Sequence, residues 1–439
     1  MPEPTRTRYL ALAPHRGGLI TAGTTVPTVE APDLGSALTA LRGHGVDAPL
    51  LRPSVSIPGD DTTPRVVVLE FDTAEHSDAP TVPFENLPDL DLPSPVTDRA
   101  LQLAEEHRTG VIPHQRPTWA RPGWHHAFVT WMRDAAAAAA GATTVGDPRP
   151  VQHWALSAVW RLDTGEGAFY AKAVYGHPAH DDAPAHGFWH EPALTSLLST
   201  EHGQGVPEPV AVDTDRGWIL MRDMRVTTFG DRTDEPAAPA LTALADIQRH
   251  WAGRTADLTA VGCPDRRPSI LYEQARELAS DDDALADALP TIHRLCERLE
   301  HGPIPLSLMH GDYHDQNVGV RDDGVVVAYD WSDGAIGHPF LDVGVFLHRR
   351  AEAERADLAA AYRDRWRDYA DEIALRDLFD IASVLSCLNQ VVTSRDLAAG
   401  VEPDDRDPFV RGQAHALSLF FAALDEWRAA HPEDRPGGP

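Results

Sequence analysis

The sequence predicts an α+β fold assembled from a small mixed unit, a β-rich lobe and a larger helical lobe. Three observations lead there. Residues 149–226 read strand, strand, helix, strand, strand, with apolar and polar side chains alternating in the strands. From Asp234 onward the apolar spacing turns helical. The one interruption, around Leu306 to Trp331, has short apolar runs flanking a polar stretch rich in His, Asp and Asn.

The first unit shows the short strands RYLALAP, GLITAG and TVPTVEAP, a helix from about Asp33 to Gly43, and the strand PRVVVLEFDT. From Ala79 to Pro95 the chain is rich in Pro, Asp and Asn, and is expected to form an exposed connector. Asp98 to His107 reads as a short amphipathic helix. Gly123 to Ala140, with its alanine run, reads as a longer one, with Trp124, Phe128 and Trp131 on one face for docking against neighbouring structure. VQHWALSAVWRL and GAFYAKAVYG, joined by DTGEG, form a hairpin. A helix around Glu191 to Glu201 follows, and then the strands PEPVAVDTD and RGWILMRDM. Helices are expected at Ala237–Trp251, Pro268–Leu278, Asp283–His301, Ala351–Tyr369 and Leu375–Leu397.

Composition narrows the partners. A 439-residue chain with 42% hydrophobic residues can bury more than one core. Its 38 basic and 67 acidic residues give a formal charge of −29, which repels phosphate backbones and anionic lipid, so neither nucleic acid nor membrane is expected as a partner. No apolar run reaches the roughly 18–20 residues of a membrane span, and a cytoplasmic location is expected. Cys263, Cys296 and Cys387 are too scattered for a disulfide framework or a paired metal motif and read as buried thiols.

The polar stretch is SLMHGDYHDQNVGVRDDGVVVAYDWSDGAIGHPFLDV. Asp312 and Asn317 stand five residues apart, and Asp330 ends the next apolar strand. Any one of these residues alone reads as a loop cap or turn former. Together, H-G-D-x-H-x-x-N followed by V-x-Y-D-W resembles the core of the aminoglycoside phosphotransferase and choline kinase family, whose fold is similar to that of protein kinases. The resemblance implies a bilobal protein-kinase-like fold that binds ATP and Mg2+. It makes Asp312 the catalytic residue that receives the proton of an acceptor hydroxyl, and Asn317 and Asp330 the metal ligands. It gives His310 and Asp342, in HPFLDV, a bracing role.

The upstream lobe fits the same resemblance. Lys172 lies in the apolar strand AFYAKAV, where an ammonium group needs a partner, and Glu191 opens the next helix. Glu191 equally suits the positive end of that helix dipole. The resemblance implies Lys172 on the α- and β-phosphates with Glu191 holding it, and an adenine site at the backbone of Met221 to Asp223. The hairpin lacks G-x-G-x-x-G. Ala155, Ser157 and Ala158 are expected in its turn, with Ser157 and backbone amides as phosphate contacts.

The division expected is an accessory α+β domain at 1–115, a connector helix at 116–148, a kinase-like lobe at 149–226 and a helical lobe with the catalytic loop at 227–439. An added front domain is similar to that of actinobacterial members. It is faintly reminiscent of a Nudix domain, but its helix DLGSALTALRGHG lacks the acidic metal box, so an accessory or substrate-capping role is expected. The acceptor is expected to be a small molecule with a hydroxyl: an aminoglycoside, an amino sugar, a sugar or an amino alcohol. Asp333 either holds an amine or is a solvated loop carboxylate. Two alternatives stand: a nucleotide-binding pseudokinase with a scaffold role, and a zinc protein built on His177, His180, His186 and His190. The last lacks helical ligand spacing and reads better as a loop.

Overall fold

The computed structural model describes residues 7–59, 63–74, 77–141, 146–176, 187–231 and 237–432. The chain forms two compact units, one of residues 1–175 with 401–405, the other of 176–400 with 406–439.

The first unit is built on a four-stranded mixed sheet. Thr7–Leu12 lies between Thr28–Ala31, antiparallel, and Val66–Phe71, parallel, and Leu50–Ile57 closes the far edge. Alternation along the central strands sends Tyr9, Ala11, Leu69 and Phe71 to one face and Leu10, Leu12 and Val68 to the other. Helix Leu34–Arg42 covers the first face through Ala37 and Leu41. Its start is capped by Asp33, whose carboxylate accepts the Ser36 amide at 2.8 Å, and Gly43 follows its last residue. Helix Ser94–Thr109 covers the second face through Val96, Ala100 and Leu103.

One expected segment differs, and one strand is additional. Residues 79–95 are not simply an exposed connector: Thr81–Pro83 pairs with Gly18–Ile20, and Leu87 is fully buried in the second core. The proline-rich composition reflects a short edge strand and a 3₁₀ turn, Phe84–Asp89. Strand Leu50–Ile57 carried no clear sequence signal because Pro53 interrupts it. It sits at the sheet edge, where the register shifts between Pro53 and Ser56, and an edge tolerates the missing donor.

A buried ion network crosses this unit. Glu70, fully buried on the central strand, receives Arg99 through two bonds, Nε to Oε1 at 2.5 Å and Nη2 to Oε2 at 2.8 Å, and Arg52 Nε at 3.4 Å. Glu402, on the 401–405 segment, accepts from Arg52 and from Arg116 Nε at 2.6 Å. Glu106 takes further bonds from Arg99 and Arg116. Burial alone raises a carboxyl pKa, but Arg52 and Arg99 outweigh it and hold Glu70 at about 2.

Later in the unit, helix Trp124–Ala140 presents the expected aromatic face. Trp124 stacks on the fully buried Phe128 at 4.4 Å, and Trp131 lies 6.0 Å from Phe128. The hairpin Ser157–Thr164 and Gly167–Val174 pairs in register, with Lys172 opposite Val159, and Arg149–His153 adds a third strand.

The second unit opens with helix Glu191–His202 and the antiparallel pair Pro209–Asp213 and Trp218–Arg222. Helices then dominate: Ala238–Trp251, Pro268–Leu278, Asp283–Glu300, Glu352–Asp364, the long helix Glu372–Gly400, and Asp407–Ala430. The last was not individually apparent from sequence, although Ala416, Phe420, Leu424 and Trp427 give it a buried stripe. Two short antiparallel ladders hold the polar segment. Ser307–Met309 pairs with Ala335–Gly337, and Val318–Arg321 lies between Val226–Thr228 and Val326–Ala328. Cys263, Cys296 and Cys387 are buried free thiols whose pKa burial raises to about 12, 12 and 11. Among the described residues, no helix is long and apolar enough to cross a membrane.

Candidate active site

The segment His310–Asp330 leaves a buried strand and is immediately clamped. Asp342 Oδ2 accepts the His310 amide at 2.6 Å and Oδ1 accepts the Gly311 amide at 2.8 Å, while Gln248 Nε2 donates to Oδ2 at 2.8 Å. Tyr362 in turn donates its hydroxyl to Gln248 Oε1. Burial pushes the Asp342 carboxyl up to about 7, against the three donated N–H bonds and helped by the nearby charge of Asp312.

Aromatic packing completes the brace. His310, fully buried, donates Nε2–H to the Tyr329 carbonyl at 3.0 Å and packs its ring 4.5 Å from Trp331 and 5.3 Å from Tyr313. Burial depresses its pKa, so it is a neutral strut. Trp331, the residue after Asp330, is 1% exposed and donates Nε1 to Ala328 O at 3.0 Å.

Gly311 is required at its position. Its φ is +83°, and a Cβ there would lie 2.3 Å from the Asp333 carbonyl oxygen. Gly311→Ala is expected to strain the loop by about 1–3 kcal/mol and lower turnover at least tenfold. Steady-state kinetics beside a melting curve checks this, and an unchanged rate contradicts the close packing of Gly311 on Asp333.

The polar side chains then fall into two linked groups. Asp312 has a side chain 44% exposed, and Asn317 Nδ2 donates to its carbonyl oxygen at 3.0 Å. That bond fixes the amide so that Asn317 Oδ1 is the atom left to ligate. His314 Nδ1 accepts the Gln316 amide at 3.1 Å, which places the proton on Nε2, 3.4 Å from Asp312 Oδ2. In the second group, Asp330 holds a left-handed conformation with φ 65° and ψ 63°, rare for a residue other than glycine and worth about 1–3 kcal/mol of strain. Ser332 Oγ stands 2.6 Å from Asp330 Oδ1 and 2.9 Å from Glu191 Oε2, and its single proton serves one carboxylate at a time. The Tyr329 amide, donating to Asn317 O at 3.0 Å, ties the two groups together.

Of the residues singled out by sequence, Glu191, Met221, Asp223, Asp312, Asn317 and Asp330 lie in the second unit. Lys172 and Ser157 lie in the first, both buried on the hairpin. Ser157 does not sit in the hairpin turn as expected. It opens the strand, and its Oγ accepts Trp154 Nε1 at 2.9 Å, while the turn falls on residues 154–156. Asp223 Oδ1 accepts the Arg225 amide at 3.0 Å and caps the turn there. His177, His180 and His186 lie outside the described residues. Among those described, no group of three or more His, Cys, Asp or Glu is placed to hold a metal alone. One Asn and one Asp suit a hard divalent ion that takes its remaining oxygens from a ligand or water.

His314, Ser332 and Gln248 carry structure that the sequence reading missed. His314 stood inside the motif, two residues after Asp312, and was legible by position. Ser332 and Gln248 act through contacts between distant segments, which spacing does not reveal.

A buried histidine adds a pH dependence. Burial drives the pKa of His338 down to about 3, and its Nδ1 accepts the Phe340 amide at 3.3 Å. Because the folded pKa lies below the unfolded value of about 6.5, the stabilisation is complete above that value. It is lost as pH falls toward about 3. His338→Asn keeps a capping acceptor without the titration. Its melting temperature is expected to fall less than that of the parent between pH 7 and pH 4, and parallel curves would exclude His338 as the source.

The model for the phosphotransferase enzyme family matches residues 148–376. No curated protein matches the chain. Among solved structures, a macrolide 2'-phosphotransferase type I aligns at 14% identity and a TM-score of 0.46, covering 66% of this chain and 97% of that one. A choline kinase from Streptococcus pneumoniae aligns at 11% identity and 0.48, covering 68% and 99%. A choline/ethanolamine kinase family protein from Mesorhizobium loti aligns at 17% and 0.46, covering 67% and 98%.

Proposed function

The chain belongs to the phosphotransferase enzyme family and is a small-molecule phosphotransferase, and from that premise we propose that it moves the γ-phosphoryl group of ATP, with Mg2+, to a hydroxyl of a small acceptor. The observation that carries this reading is the clamped loop: a solvent-facing Asp312, a buried Asn317 bonded to its backbone, and Asp330 two residues past strand Val326–Ala328.

In the proposed mechanism Asp312 accepts the proton of the acceptor hydroxyl as the oxygen attacks phosphorus. His314 Nε2 lies 3.4 Å from Asp312 Oδ2. Asn317 Oδ1 and the Asp330 carboxylate would hold magnesium, whose charge offsets that of the phosphate oxygens. Ser332 orients the Asp330 carboxylate toward that task. The family resemblance further assigns Lys172 to the α- and β-phosphates with Glu191 as its partner, Ser157 to a phosphate, and the backbone of Met221 to Asp223 to adenine. The division at 1–115, 116–148, 149–226 and 227–439 stands as the corresponding functional proposal.

The test is ADP release by the full chain across a panel of hydroxylated and amino-bearing metabolites, with and without Mg2+. Release that requires magnesium and rises with one acceptor supports transfer. Nucleotide binding without acceptor-stimulated release supports the pseudokinase alternative instead.

A further inference from the structure

The long helix Glu372–Gly400 carries a stripe of buried polar residues, Ser386, Asn389, Thr393 and Asp396, spaced three, four and three residues apart and therefore on one face. The stripe runs beside the clamped loop. A Cβ on Gly344, two residues past Asp342, would lie 2.2 Å from Ser386 Oγ. Gln390, next to Asn389, donates Nε2 to the Gly311 carbonyl at 3.4 Å, one residue before Asp312. At the far end, Asp396 acts electrostatically on the buried Arg266, as do Asp333 and Asp342.

Polar side chains on a largely buried helix face are usually hydrogen-bonded within the protein or open to solvent. Ser386 donates to Ser383 O at 3.0 Å and Asp396 accepts Arg395 at 2.7 Å. Asn389 and Thr393 differ. They are 5% and 9% exposed, yet among the described residues neither side chain makes a hydrogen bond. Thr393 does not even return its hydroxyl to the carbonyl of the preceding turn, the usual resort of a helical threonine. Their polar atoms reach solvent, so an amide with two donors and an acceptor, and a hydroxyl with one of each, stand open to a ligand on the helix whose Gln390 touches Gly311.

We propose that Asn389 and Thr393 form the acceptor subsite and hydrogen-bond the hydroxyls of an uncharged sugar or polyol, which presents one further hydroxyl to Asp312. The inference rests on the phosphotransferase reading above and adds the substrate class. A cationic acceptor fits less well. Asp333 stands 3.9 Å from Arg266 and Asp396 is paired with Arg395, so the carboxylates flanking the stripe are already matched by arginines. The stripe also offers no aromatic ring to cradle an ammonium group. Hydroxyl recognition by buried polar groups is demanding, since an acceptor lacking the hydroxyl leaves those groups unpaired.

Steady-state kinetics with the full chain, Mg2+ and ATP tests this, using free mono- and disaccharides and cyclic polyols beside choline and kanamycin. Transfer to a neutral polyol is expected. Asn389→Ala and the near-isosteric Thr393→Val are each expected to raise the KM of that acceptor about 3- to 10-fold, with kcat and the KM for ATP unchanged. Preference for choline or kanamycin overturns the inference. So does an unmoved acceptor KM in the Thr393→Val variant, which keeps the core volume; in both cases Asp312-dependent transfer persists and the phosphotransferase reading stands. Absence of transfer to every acceptor defeats that reading and this inference together.

Discussion

Replacing Asp312 by Asn is expected to lower turnover by about 10²- to 10⁴-fold while ATP binding stays nearly intact. The substitution keeps the shape of the side chain and removes its negative charge, and with it the capacity to take a proton. The shorter bond from Asn317 Nδ2, 3.0 Å to the backbone carbonyl of residue 312, does not involve the side chain, and an asparagine oxygen can still accept the longer one, 3.4 Å to Oδ2. With the clamp on Asp342 also untouched, the loop geometry persists and the loss falls on the chemical step. Turnover measured against nucleotide affinity separates the two effects. Undiminished turnover would remove Asp312 from the proton transfer.

Glu70→Gln is expected to destabilise the first unit by about 3–5 kcal/mol. The amide cannot neutralise Arg99 and Arg52, both buried, and it presents one acceptor where Arg99 uses two carboxylate oxygens. Glu106 and Glu402 already serve Arg116 as well and cannot replace the missing charge. Such a loss is a large share of a typical domain stability of about 5–15 kcal/mol. The folded pKa of about 2 lies below the unfolded value, so this contribution is complete above the ordinary carboxyl range and disappears as pH falls through about 2. Urea unfolding at neutral pH followed by circular dichroism checks the magnitude, and a midpoint equal to that of the parent would show that the network contributes no net stability.

Local signals carried much of the architecture into the sequence. Asp33 and Gly43 bracket the first helix as a cap and a stop. The turn at Gly165 and Glu166 aligns the two strands of the Lys172 hairpin. Leu50–Ile57 was obscured because a proline is permitted at an edge, and Leu87 because a buried 3₁₀ turn has the composition of a loop. Around the site, Asp312 and Asn317 were legible because a short loop forces them together. Ser332 touching Glu191, Gln248 touching Asp342, and the unpartnered Asn389 depend on segments far apart in the chain, which no local period encodes.

The most direct measurement is transfer of label from γ-labelled ATP to an acceptor in the presence of Mg2+, followed by product mass. The parent chain is expected to place one phosphoryl group on a hydroxyl of a small molecule, and Asp312→Asn to place almost none. Label that stays on ATP or appears only as inorganic phosphate with every acceptor, or equal transfer by both chains, would contradict phosphoryl transfer at Asp312.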